Sequence, residues 1–189
     1  MSGVETDEVL AARARAGDAD AFGLLVERHI AGLRRLARSV LPEPEDADDA
    51  VQDGCLAAWR NVGAYDPARP VRPWLARVVL NAARDLRRKR RVRTTEELPE
   101  TATSRGPDAF DMVVTAEIRE RFAAAVEALP ERQRVAVTLF DLEGYAHAEI
   151  AALLGVPDGT VRSDLFHARR ALRTALGPAY GPRDEGSNE

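Results

Sequence analysis

The feature that most limits the fold of this chain is a pair of helical apolar patterns near its C-terminus. The first covers residues 147–154, the second covers residues 158–176, and Gly155-Val156-Pro157 separates them. A helix-turn-helix needs a small residue where its helices cross, a turn residue that tolerates positive φ and an apolar anchor on its second helix. Ala151, Gly155 and Val161 meet these needs. The pattern predicts a helix-turn-helix, although an ordinary helical hairpin would share it.

Helical spacing of apolar residues continues through most of the remaining chain. Aromatic residues make up only 5% of the sequence and β-branched residues form no sustained run, which favours helices over sheet. The pattern predicts further helices at residues 20–41, 46–62, 73–86, 118–129 and 131–142. The predicted fold class is therefore all-α, with two small helical domains joined by a flexible linker.

Charge and helix-breaking residues give the predicted domain boundaries. Residues 94–117 contain six acids against one Arg, together with Pro99, Gly106 and Pro107, and they show little periodicity. The predicted segments are an N-terminal segment at 1–19, a first domain at 20–93, an acidic linker at 94–116, a second domain at 117–176 and a disordered tail at 177–189.

The formal charge of −4 would by itself argue against nucleic-acid binding, but the charge is unevenly distributed. Residues 43–53 hold six acids and no base, whereas residues 84–93 hold seven bases and one acid. The acidic segment fits a solvated face, a metal site or a protein-docking surface. The basic segment, beside Trp74, fits a solvated face or a groove for single-stranded nucleic acid. Four Arg residues in the last helix favour DNA binding there: Arg162, Arg169, Arg170 and Arg173.

Several classes of protein are disfavoured by what the sequence contains. Cys55 is the only cysteine, which fits a reducing cytoplasm, and no apolar run reaches the roughly 18 residues that a membrane span needs. His29, His147 and His167 lie far apart, so we expect no metal and no cofactor. Neither a carboxylate and histidine cluster nor a phosphate-binding glycine loop is evident, so we expect no enzyme and no small-molecule substrate.

Two blocks of motifs resemble one protein family in the order in which that family carries them. The first contains Asp46-Ala-Asp-Asp-Ala-Val-Gln-Asp53 and Pro73-Trp-Leu-Ala-Arg77. The second contains Leu129-Pro-Glu-Arg-Gln-Arg134 and Leu154-Gly-Val-Pro-Asp-Gly-Thr-Val-Arg-Ser163. They resemble domains two and four of the extracytoplasmic-function (ECF) RNA polymerase sigma factors of the sigma-70 family. The rival interpretation is a stand-alone helix-turn-helix regulator, which would account for the second block only.

The resemblance implies a set of partners and a residue set for each of them. It implies docking of the acidic helix on the β′ clamp of core RNA polymerase through Asp46, Asp49, Val51, Gln52, Asp53 and Leu56. It implies capture of the melted minus-ten promoter element by Trp74, Asn81, Arg84, Arg87, Arg88 and Arg91. It implies recognition of the minus-thirty-five duplex by Thr160, Arg162, Ser163, Asp164, His167, Arg169 and Arg170, with the same domain packed on the β flap. An anti-sigma factor is a further expected partner, and the expected location is the cytoplasm, with an anti-sigma factor holding the chain at the membrane in one state.

The chain also departs from the family pattern. Gly54 stands where larger apolar residues are usual, so we expect a weakened or bent docking helix. Asp164, Phe166 and His167 replace a more basic pattern in the last helix. Three roles are open to Asp164, which can accept a hydrogen bond from cytosine N4, repel phosphate or simply remain solvated. Of the two roles in which Asp164 acts on DNA, we favour the cytosine contact.

Overall fold

The computed structural model of the chain describes residues 5–94 and 116–177, and within them the regular structure is helical, with no strand. The chain divides into two compact units, and within the residues that the structure describes each unit contains four α-helices. The all-α prediction is confirmed. The predicted linker and tail lie almost wholly outside the described residues. Within the described part, no helix is apolar over the length that a bilayer crossing requires.

The first unit contains the helices α1 (Asp7–Arg15), α2 (Ala19–Arg38), α3 (Pro44–Arg60) and α4 (Val71–Thr94). The Asp18 carboxylate starts α2 by accepting a hydrogen bond from the Ala21 N–H at 3.0 Å. Pro44 starts α3 at a position where its missing N–H costs nothing. The core of the unit includes Leu25, Leu36, Val40, Leu75, Val79 and Leu80.

Helix α1 was not predicted, because the sequence pattern assigned residues 1–19 only to an N-terminal segment. The helix buries Leu10, Ala11 and Ala14. Its nine residues carry too few apolar side chains for a periodic pattern to stand out. A signal was present in its charges, since acids occupy its first turn and Arg residues its last turn, as the helix dipole favours.

Ionic contacts at Asp7 hold α1 to α2. One carboxylate oxygen of Asp7 accepts a hydrogen bond from Arg28 at 2.5 Å, and the other lies 2.7 Å from the His29 ring. Burial alone raises the pKa of Asp7, but the hydrogen bonds with Arg28 and His29 outweigh it and leave that pKa below its ordinary value. Ionised Asp7 therefore contributes to the anchoring of α1, together with its buried apolar side chains.

We expect the attachment of α1 to weaken in acid. A carboxyl group whose pKa is lower in the folded state contributes stability above its unfolded pKa, and that stability is lost as the pH falls through the folded value. The protection of α1 amides from hydrogen exchange, corrected for the intrinsic rate, should therefore decline below about pH 4. In Asp7→Asn it should be low at every pH. Protection that is the same in both proteins from pH 3 to pH 7 would show that Asp7 does not anchor the helix.

Gly54 allows α3 and α4 to pack closely. A Cβ atom at this position would lie 2.8 Å from Val79 Cγ2 and 2.9 Å from Val79 Cα. Helix α3 runs without a break from Pro44 to Arg60. The glycine lowers helix propensity, but the close contact with α4 requires it, because any side chain would meet Val79.

The second unit contains α5 (Ala116–Glu127), α6 (Glu131–Val137), α7 (His147–Leu154) and α8 (Asp158–Leu176). A π-helical turn at Thr138–Leu142 extends α6. Gly155 has φ of 68° between α7 and α8, so the predicted turn residue with positive φ is confirmed. The helix-turn-helix buries Ile150, Val161 and Leu165, and Val135 of α6 and Leu139 of the π-helical turn are buried in the same unit.

Candidate functional site

Four of the six residues predicted to dock on polymerase share one exposed face of α3. They are Asp49, Gln52, Asp53 and Leu56. Their spacing of three and four residues places them on the same side of the helix. Leu56 is 44% exposed, so it offers an apolar contact among the carboxylates. We call these four residues the α3 face, and its chemistry suits a partner that offers cations around an apolar contact.

The structure contradicts the docking role that was predicted for the other two residues, Asp46 and Val51. Asp46 is only 3% exposed and forms an ion pair with Arg90 of α4. Val51 is also 3% exposed and lies in the core. Both side chains face the interior of the unit, so neither is available to a partner.

Five of the predicted minus-ten residues lie along one side of α4. They are Trp74, Asn81, Arg84, Arg88 and Arg91, and Arg87 lies at the flank. Trp74, Asn81 and Arg88 are seven residues apart, which is close to two helical turns, so they align over about 20 Å of helix. Asn81, Arg88 and Arg91 are exposed, and the others are half-buried. We call the five aligned residues the α4 face.

Trp74 contacts the loop that precedes α4. Its ring packs on Tyr65, with ring centroids 5.1 Å apart, and Tyr65 is buried while its hydroxyl donates to the carbonyl of Arg69. The contact ties the loop before α4 to the helix. Trp74 itself is only half-buried, so one part of its ring supports the fold and the other is open to a stacked base.

On α8, the exposed residues predicted to contact DNA are Arg162, Ser163, His167, Arg169 and Arg170, while Thr160 is half-buried. Arg162 forms an ion pair with Asp158, four residues earlier on the same helix, at 2.9 Å. Arg169 is bound by Asp141 of the π-helical turn and lies 5.0 Å from the centroid of the Phe140 ring. Arg169 is therefore held in one orientation at the edge of the exposed face.

The role expected for Asp164 is corrected. Asp164 is 4% exposed, and its carboxylate accepts hydrogen bonds from Arg132 Nε at 2.6 Å and Arg132 Nη2 at 3.2 Å. These hydrogen bonds raise the pKa of the Arg132 guanidinium. A carboxylate that faces α6 in this way cannot also accept from cytosine or repel phosphate.

Phe166 is a surface residue whose place in the site the sequence did not reveal. It is 62% exposed on α8, and helical spacing places it between Arg162 and Arg170. Its ring meets His167 edge-on, with centroids 5.5 Å apart. The sequence did contain one signal that Phe166 is exposed, because this aromatic residue lies outside the apolar stripe that begins at Val161. An apolar side chain among cations on a recognition helix suits the methyl group of thymine.

Together these features define a modular protein with one helical unit that exposes acidic and basic faces and a second unit built on a helix-turn-helix. Residues 25–93 match the family model for Sigma-70 region 2, and residues 119–172 match the model for Sigma-70 region 4. The chain belongs to the ECF RNA polymerase sigma factors of the sigma-70 family.

Relatives and solved structures agree with this family. The chain is 41% identical over 170 residues to the ECF RNA polymerase sigma factor SigM of Mycobacterium tuberculosis, with 90% of this chain and 84% of SigM covered. It is 36% identical over 185 residues to the sigma factor CnrH of Cupriavidus metallidurans, with 93% and 97% covered. The structure of CnrH in complex with the cytosolic domain of CnrY superposes with a TM-score of 0.68 at 34% identity and covers 94% of this chain.

The family defines the function of the chain as promoter-specific initiation of transcription with core RNA polymerase. Both blocks of the sequence match, in the family's order. A stand-alone helix-turn-helix regulator would not account for the match over residues 25–93, so that alternative is not favoured.

Proposed function

We propose that the surfaces of this sigma factor divide its work in the following way. The α3 face binds the β′ clamp of core polymerase. The α4 face captures the melted minus-ten element, and the exposed side of α8 recognises the minus-thirty-five duplex while its unit packs on the β flap. The observation that carries the proposal is that α3 and α4, which pack against each other in one unit, expose separate faces of opposite charge.

Charge and chemistry support each assignment. The α3 face offers carboxylates and one exposed Leu, which suit a basic protein surface better than a polyanion. The α4 face combines Arg side chains with a half-exposed indole and an exposed amide, which are the groups that bind the phosphates, faces and edges of unstacked bases. On α8, Arg170 and Arg162 serve phosphate contacts, and Ser163 and Phe166 face base edges.

The same proposal covers the remaining properties of the chain. The polymerase performs the chemistry, so the chain itself acts as a binding factor without catalytic activity. It works in the cytoplasm. An anti-sigma factor that covers the exposed α3 face would keep it from polymerase, and the complex of CnrH with the cytosolic domain of CnrY supports such a partner.

The assignment of the α4 face is tested with Asn81→Ala. Asn81 is exposed on a helix, so its loss should leave the fold and the binding of core polymerase unchanged. Opening of the minus-ten region, measured by permanganate reactivity of its thymines, should fall by about tenfold because a captured base loses its hydrogen bonds. The matched control is Asn61→Ala, which removes an exposed Asn at the end of α3. Opening at the wild-type level by the Asn81 variant would contradict the assignment.

A further inference from the structure

A buried carboxylate on the recognition helix has no part in the functions proposed above. The Asp164 side chain is 6% exposed, whereas its partner Arg132 is 51% exposed. Arg132 lies at the start of α6 and binds Asp164 through two donors, Nε and Nη2. On α8, the neighbours Val161, Leu165 and Ala168 are buried apolar residues. An ionised group in such a place requires a partner with well-defined geometry.

A second ion pair connects α8 to the π-helical turn that extends α6, and in this pair the two charges are exchanged. Arg169 of α8 binds Asp141 of the π-helical turn, again through Nε and Nη2. In the first pair the carboxylate belongs to α8, and in the second pair the cation does. A shift of α8 along this segment would bring side chains of like charge towards each other, so the two pairs together favour one position of the helix.

We propose that Asp164 is a positioning residue which, through Arg132, fixes the rotation and axial position of the recognition helix relative to α6. The proposal rests on the proposed function of α8 in recognising the minus-thirty-five element. The apolar stripe of α8 holds the helix to the unit, but apolar contacts have no direction and tolerate small rotations. A two-donor hydrogen bond between guanidinium and carboxylate is directional, so it does not tolerate such rotations.

The position of α8 matters because the proposed DNA contacts flank Asp164 in the sequence. Ser163 precedes it and Phe166 follows two residues later, both on the exposed side. Side-chain ends lie roughly 5–6 Å from the helix axis, so a rotation of about 20° moves them by about 2 Å. A hydrogen bond to a base edge does not survive such a displacement. The ion pair would therefore act on sequence discrimination without touching DNA.

The test compares the full-length chain and its variants, each in holoenzyme with core polymerase. The probes are the promoter that the wild-type holoenzyme selects from a pool randomised over the minus-thirty-five element, and the same promoter with each base pair of that element changed in turn. Affinity ratios between matched and changed promoters cancel the minus-ten contribution. The variants are Asp164→Leu, Asp164→Arg, and Arg132→Asp combined with Asp164→Arg.

Asp164→Leu separates positioning from folding. A Leu is bulkier than Asp but suits the apolar surroundings, and the Arg132 that it leaves unpaired is 51% exposed and can turn to solvent, so the unfolding temperature should stay within about 5 °C of the wild type. Discrimination should nevertheless fall by about tenfold across several base pairs of the element. Asp164→Arg places a cation beside Arg132 and should lose both stability and discrimination. The charge-swapped double variant should recover discrimination to within about threefold of the wild type.

Each other result identifies a different cause. Wild-type discrimination in a folded Asp164→Leu variant would overturn the proposal and leave Asp164 with a role in packing only. Loss at one base pair, with all others unchanged, would overturn it in favour of a direct base contact. A folded charge-swapped variant that still discriminates poorly would also overturn it. If the wild-type holoenzyme selects no minus-thirty-five sequence from the pool, the proposed function of α8 is contradicted, and the positioning role fails with it.

Discussion

Reversing the charge of Asp49 and Asp53 to Arg is expected to abolish assembly of the chain with core RNA polymerase. Both carboxylates are exposed on the α3 face, so the change leaves the core of the unit intact. A surface that binds carboxylates is basic, so two Arg side chains at these positions would be repelled by it. Like charges facing each other across an interface cost several kcal/mol. Affinity for core polymerase should therefore fall by at least about a hundredfold.

The measurement is equilibrium binding of the labelled chain to purified core polymerase, with circular dichroism to establish that helicity is unchanged. In the matched control, Arg replaces Asp20 and Glu27, which are two exposed acids of α2 in the same unit. This control changes the net charge by the same amount. The control should bind almost as well as the wild type. Equal losses in the two variants would point to overall charge, and unchanged affinity in the first would show that the α3 face is not the docking surface.

Replacing Gly54 by Leu is expected to unfold the first unit. A Cβ atom at this position already meets the backbone of Val79 at 2.9 Å, and backbone cannot move aside as a flexible side chain does. The larger side chain would force α3 and α4 apart along much of their contact. Gly54→Ala is the milder case, in which overpacking of about 1–3 kcal/mol outweighs the gain in helix propensity of about 1 kcal/mol.

Gly23 provides the matched control for Gly54. It also lies inside a helix, but apart from the adjoining residues and backbone of its own helix no atom lies within 4 Å of the position that its Cβ would take. Gly23→Ala should therefore stabilise the chain by up to about 1 kcal/mol, as expected for a glycine in an exposed helix interior. Thermal unfolding of the two Ala variants should shift in opposite directions. If both Ala variants were stabilised, the packing of α3 against α4 would not depend on the absence of a side chain at Gly54.

The helices were predictable where apolar residues recur over several turns. The bounds of α7 and the positive φ of Gly155 follow from local signals, since a helix-turn-helix sets the residue type at each of those positions. Helix α1 has only three buried residues, too few to produce such a pattern. Its stability comes from contacts with α2, which are not visible in its own sequence.

The functional faces were predictable in part, because exposure follows from helical spacing but the partners of charged residues do not. Asp46 and Asp164 were both expected to face a macromolecule, and both are instead buried against an Arg from another helix. Arg90 lies 44 residues from Asp46, and Arg132 lies 32 residues from Asp164. No periodicity within one helix indicates such distant pairs, and only the packed structure shows that the two carboxylates are already occupied.

The most direct test of the sigma-factor function is transcription from a genomic library by purified core polymerase with and without the chain, followed by sequencing of the RNA 5′ ends. With the chain present, RNA should start at a defined set of sites that share two sequence elements, one near minus ten and one near minus thirty-five. Core polymerase alone, and core polymerase with the variant carrying Arg at positions 49 and 53, should give no such set. Start sites that are the same with and without the chain, together with binding of the free chain to duplex DNA, would contradict the sigma-factor function and favour a stand-alone regulator.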